Sequence, residues 1–156
     1  MIAALGSGAL LGGALWFQHG MGLAPCELCH WQRYPHAVAV VAGLGAAFFA
    51  RHARAFALIL VLIAIMALVT TAVIALYHVG VEYRFWPGPQ SCSGNLPHGL
   101  SVEQLKRYLL GARLVRCDEV PWAMWGLSMA AWNAILSAFV ALATGLGLKT
   151  AISDHR

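Results

Sequence analysis

The stretch AFALILVLIAIMALVTTAVIALY, residues 55–77, contains no charged side chain, and only two threonines and the last tyrosine bring polar atoms to it. A run of about 20 such residues is what a helix needs to cross the hydrocarbon core of a bilayer. With no water there to bond to, the backbone must pair its own N–H and C=O groups, so the crossing is helical. The chain around it has the same character: 60% of its residues are apolar and 10% are charged, against roughly 25% charged in a soluble domain.

Working outward, three further runs can span. Residues 2–17 and 34–50 lie near the lower length limit, while residues 122–148 are long enough to cross at a tilt. The expected fold is therefore an all-α membrane protein, a four-transmembrane-helix bundle forming a single domain over residues 1–156, with no internal repeat, low-complexity tract or linker. The first run lacks the basic leader and small-residue cleavage site of a signal peptide and reads as a retained helix. No charge flanks its start, which reads as a chain short of a few native N-terminal residues.

Four crossings put both termini and the short link RHAR, residues 51–54, on one side, and two loops on the other. Those loops hold all four cysteines: Cys26 and Cys29 after the first helix, Cys92 and Cys117 between the third and fourth. Disulfides persist outside the cytoplasm, so the cysteine loops are expected to face the periplasm. Counting Lys and Arg favours the reverse, because the same loops carry Arg33, Arg84, Lys106, Arg107, Arg113 and Arg116. The cysteine argument is preferred, since half of these charges fall on residues 101–115, where Val102, Leu105, Leu109 and Ala112 recur at helical spacing. That segment reads as a short interfacial helix on the lipid headgroups. Trp16, Trp31, Tyr77, Trp86, Trp122 and Trp125 gather on the cysteine side as an interfacial belt.

Cys26-Glu27-Leu28-Cys29-His30 admits three chemistries. Zinc wants two close pairs, and here Cys92 and Cys117 are far apart in sequence. Haem attachment matches Cys-x-x-Cys-His literally, with His30 as proximal ligand and His19, Met21 or His78 as the sixth, but leaves Cys92 and Cys117 without a role. A redox pair uses all four. Cys29 is read as sitting just before the second helix with Arg33 one turn on, and both a helix N-terminus and a cation favour a thiolate. Cys92 lies in PGPQSCSGNLP, read as an exposed flexible loop whose disulfide a thiolate could attack; a plain stapling disulfide is the alternative.

Three elements then carry a resemblance: Cys26-x-x-Cys29 with Arg33 four positions later, YHVGVEYRFWPGPQSC ending the third helix, and RCDEVPWAMWGLSMAAWN opening the fourth. Over essentially its whole length the chain resembles the disulfide bond formation protein B (DsbB) family of bacterial inner-membrane quinone reductases. The resemblance implies a relay. A periplasmic thioredoxin-fold thiol oxidase, DsbA-like, attacks the Cys92–Cys117 disulfide at Cys92, Cys117 exchanges with Cys26, and the electrons reach Cys29 and a quinone, ubiquinone or menaquinone. Arg33 and His78 match the positions that hold the quinone, and no metal is implied. Arginine suits the task because it stays charged and can stabilise a thiolate and a developing oxyanion; histidine can donate to an oxygen. Glu82, four residues after His78, is left without a role. The net charge of +4 is spread over membrane flanks, so no nucleic-acid partner is expected; lipid and the quinone pool are.

Overall fold

The computed structural model describes residues 1–89, 92, 101–103 and 115–153. Among these, four long helices follow one another: α1 (Ile2–His19), α2 (Glu27–Phe49), α3 (Arg54–Glu82) and α4 (Met129–Ser153). α3 packs along α2 and α4, and α1 closes the ring against the same two neighbours. α3 and α4 are each long and apolar enough to cross a membrane. Most of the segment expected as an interfacial helix, residues 104–114, lies outside the described residues.

Inside and outside are reversed relative to a protein in water. The core where α1, α2, α3 and α4 meet is built from small residues: Ala3, Ala39, Ala42, Ala64, Ala67 and Ala141, with Leu68. Large side chains such as Leu5, Val41, Phe48, Met66 and Phe139 stand exposed on the outer faces. Small residues let helix backbones approach closely where burial of hydrocarbon supplies no driving force, which is the packing logic of helices in lipid. Gly43 shows how close. A Cβ at this position would stand 2.9 Å from the Ala4 backbone nitrogen and 3.0 Å from Ala4 Cβ. Gly43→Leu should therefore push α1 off α2 and lower stability by about 1–3 kcal/mol, the usual range for overpacking. Thermal unfolding in detergent checks this, and an unchanged midpoint would contradict the close approach.

Three helix boundaries depart from the sequence expectation. α2 begins at Glu27 and not at residue 34, so Cys26 is its N-cap and Cys29 lies inside its first turn rather than before it. Hydropathy marks only the part of a helix that suits lipid, and the polar turns Glu27 to Arg33 fell below that signal. Pro35 sits within α2, where it has no N–H to offer the carbonyl four residues earlier.

α3 continues past residue 77 to Glu82 and carries His78 with it. It stops in a Schellman arrangement: Arg84 takes φ 59°, its N–H bonds Val81 O at 3.0 Å, and the Phe85 N–H bonds Gly80 O at 2.8 Å. A left-handed arginine here gave the sequence no glycine to announce the stop.

α4 starts at Met129 and not at residue 122, because a small hairpin precedes it. Ala123 pairs with Ser128 and Met124 with Leu127 across Trp125 and Gly126, both at positive φ (54° and 77°). Two consecutive positive φ values make the type I′ turn that suits a two-residue hairpin. Ser128 then caps α4, its Oγ accepting from the Ala131 N–H at 3.2 Å while donating to Glu82 at the end of α3.

Candidate functional site

At one end of the helices the four cysteines come together. Cys26, at φ −76° and ψ 172°, ends the extended segment before α2, and its Sγ accepts from the Cys29 N–H at 3.2 Å. One turn of helix then brings Cys29 Sγ back to 2.6 Å from Cys26 Sγ, with both thiols free. Cys92 and Cys117 form a disulfide with Cα atoms 5.3 Å apart. It packs with Cys26, Leu28 and Val81 in one buried cluster that Cys29 and Val115 adjoin.

This packing corrects one expectation. Cys92 was read as lying in an exposed loop, yet Cys92 and Cys117 are only 2% and 1% accessible. Proline and glycine around Cys92 signalled a loop, but the loop's disulfide is an apolar group and docks on the apolar side chains where α2 begins and α3 ends.

The two cysteine pairs also meet. Cys26 Sγ, Cys117 Sγ and a ring nitrogen of His78 all lie within 4.8 Å of one another. Buried on α3, His78 places Nε2 3.6 Å from Cys26 Sγ and 4.0 Å from Glu82 Oε1. Its Nδ1 lies 3.0 Å from Gln32 Nε2.

Arg33 sits one turn beyond Cys29 and reaches across to the end of α1. One guanidinium nitrogen donates to Gln18 Oε1 and another to Ala14 O at 3.4 Å, while its buried Nε has no partner. The two thiols lie ahead of the apolar part of α2 that starts at residue 34. There the Cys26 thiol keeps its proton: its hydrogen bond to Cys29 is the first cause of a raised pKa and burial the second. Cys29 moves the other way. The same hydrogen bond from Cys26 lowers its pKa most, burial opposes it, and the Arg33 charge lowers it further. The pair is thus divided into a proton-holding inner sulfur and a thiolate-favouring outer one.

Gln32, Thr71 and Asn133, unnoticed in the sequence, are joined to this site. The Asn133 amide donates to Gln32 Oε1 at 2.7 Å and lies 3.4 Å from Thr71 Oγ1; His36 Nε2 and Ser137 Oγ meet Asn133 Oδ1 at 2.9 and 3.1 Å. The available signal was a set of polar residues inside apolar runs, which in a membrane protein marks partnered or functional positions.

The haem expectation finds no support here. His30 is exposed, and Cys26 is packed against protein.

Comparison with known proteins agrees with the redox geometry. A family model described as "Disulfide bond formation protein DsbB" matches residues 1–147. The chain is 34% identical over 147 residues to the disulfide bond formation protein B of Shewanella amazonensis, covering 91% of this chain and 83% of the relative. To the protein of that description from Stutzerimonas stutzeri it is 34% identical over 149 residues, with 92% and 87% covered. An uncharacterized protein of Rickettsia prowazekii, RP370, is 27% identical over 124 residues, with 78% and 70% covered.

Proposed function

Because the chain belongs to the DsbB family of membrane-bound disulfide bond formation proteins, we propose that it is a thiol:quinone oxidoreductase of the bacterial inner membrane that reoxidises a periplasmic thioredoxin-fold oxidase. One observation carries the reading: Cys26 Sγ stands between two redox partners, within 4.8 Å of Cys117 Sγ and 2.6 Å from Cys29 Sγ. In the proposed order the partner's thiolate attacks Cys92, forming a mixed disulfide and releasing Cys117 as a thiolate. Cys117 then attacks Cys26 of an oxidised Cys26–Cys29 pair. The Cys117–Cys26 bond forms, the Cys26–Cys29 bond breaks, and Cys29 leaves with the electron pair. The divided pair supports this direction, since a leaving sulfur departs faster when its thiolate is favoured.

The residues beside Cys29 suit a quinone. Arg33 offers a buried Nε with no partner, a donor that an acceptor oxygen would satisfy at a site where an unmade hydrogen bond is costly. Arg33 would hold the quinone next to Cys29, with His78 on the side of Cys26. When bound, a quinone accepts two electrons and two protons. The protein's own part is to present a thiolate at Cys29, to balance its charge with Arg33 and to keep water away.

All four helices cross the membrane in this proposal, with the cysteine end in the periplasm and residues 51–54 in the cytoplasm. Single cysteines introduced into residues 51–54 should resist membrane-impermeant thiol reagents in intact spheroplasts, whereas one introduced at the exposed Glu119, at the cysteine end, should react. The opposite labelling pattern would overturn the orientation. For the activity, the purified protein is mixed with a reduced thioredoxin-fold oxidase and either ubiquinone or menaquinone. Quinone reduction matched by oxidation of the partner is expected, and cysteines that keep their redox state throughout would sink the reading.

A further inference from the structure

The polar groups beneath the cysteines form one ordered chain, and its order can be worked out from a single hydroxyl. Thr71 Oγ1 donates its only proton to the Gln32 carbonyl at 3.0 Å. Toward Asn133, 3.4 Å away, it can then only accept, so the Asn133 atom facing it is the amide nitrogen. The same nitrogen faces the Gln32 side chain at 2.7 Å, which fixes that atom as the Gln32 oxygen. The other end of the Gln32 amide is therefore its NH2, and it donates to His78 Nδ1 at 3.0 Å. A neutral imidazole that accepts at Nδ1 carries its proton on Nε2. Nε2 faces Cys26 Sγ at 3.6 Å and Glu82 Oε1 at 4.0 Å, both acceptors.

We infer that Asn133 and Gln32 are positioning residues that hold His78 as the Nε2–H tautomer, with its proton turned to Cys26. Asn133 comes from α4 and Gln32 from α2, so two helices set the protonation of a histidine on a third. Cys26 Sγ thereby accepts from two donors, the Cys29 N–H at 3.2 Å and the His78 ring, which fix its place between Cys117 and Cys29. The same assignment removes His78 from the Cys26–Cys117 cluster as a metal ligand, because a protonated ring nitrogen has no lone pair to give. Only the use made of the proton rests on the proposed thiol:quinone activity; the tautomer stands on the hydrogen bonds alone.

The test is the 15N spectrum of the His78 ring in the full-length reduced protein in detergent. Wild type is expected to show the proton on Nε2. Ser137→Ala removes a donor to Asn133 Oδ1, leaves the order of the chain intact, and should not change the ring. Asn133→Asp presents oxygen to Gln32, whose amide must turn round and offer its own oxygen to His78, so Nδ1 should gain a proton. Gln32→Glu provides a second route to that result without turning any group, should Asn133→Asp fail to fold. An Nδ1 that stays unprotonated in both variants would overturn the inference, assigning the tautomer to the pull of the acceptors around the ring: Cys26, Glu82 and the Cys117 backbone. Because the spectrum needs neither quinone nor partner, loss of the proposed activity and loss of this tautomer are separate results.

Discussion

Cys26→Ser should reduce quinone turnover driven by the partner oxidase by about a thousandfold or more, the scale of losing a covalent participant, while a single exchange between that partner and Cys92–Cys117 continues. Cys26 is the sulfur of the reduced pair that approaches Cys117 within 4.8 Å, and it is also the one in contact with Cys29. Without it the electrons delivered to Cys117 have no next sulfur. Cys29 cannot replace it directly, because the Cys26 side chain lies in the buried cluster with the disulfide and Cys29 only adjoins that cluster. Stopped-flow measurement of partner oxidation beside steady-state quinone absorbance separates the two steps. Turnover in Cys26→Ser within tenfold of wild type would mean that Cys29 takes electrons from Cys117 itself.

Arg33→Gln should cut quinone reduction about a hundredfold, the typical effect of removing one preorganised donor to developing negative charge. It acts on two counts. The buried Nε donor disappears, and so does the charge that helps to lower the Cys29 pKa after the dominant hydrogen bond from Cys26. The sign follows directly. A thiol whose pKa is lowered is ionised over a wider range of pH, so losing the cation raises the pKa and moves the rising limb of the pH–rate profile to higher pH. Lysine should restore part of the rate, since it keeps the charge but not the planar fork that reaches Gln18 and Ala14. Exchange at Cys92–Cys117 should hardly change. A wild-type pH profile and rate in Arg33→Gln would reduce this arginine to a tie between α1 and α2.

What the sequence revealed follows from which physical signals are local. The run ending at Tyr77 declared α3 because lipid demands unbroken apolarity, and the Cys-x-x-Cys spacing declared a close thiol pair because one helical turn joins those positions. Where the signal is weaker, the boundaries slipped. The first turns of α2 are helical but polar, the stop of α3 uses Arg84 where glycine is the usual sign, and the hairpin before α4 places a tryptophan at positive φ. Long-range relations were beyond local reading. Gln32 and Asn133 are separated by 101 positions, and nothing in either neighbourhood announces the other. The burial of Cys92 was hidden for the same reason: its covering residues Leu28 and Val81 belong to other helices.

That burial gives the protein a form of insulation. A relay that stores oxidising equivalents in a disulfide is open to short circuit by any small thiol dissolved around it. With both sulfurs of Cys92–Cys117 beneath the surface at 2% and 1% accessibility, a freely diffusing reductant collides with side chains and not with sulfur, and exchange requires access to the sulfur along its bond. Only a visitor that binds strongly enough to draw the disulfide from its seat on Leu28 and Val81 completes the circuit. Selectivity then lies in how tightly the contact is shut, and a cavity made at Leu28 would let glutathione feed electrons into the disulfide before it slowed the rightful donor.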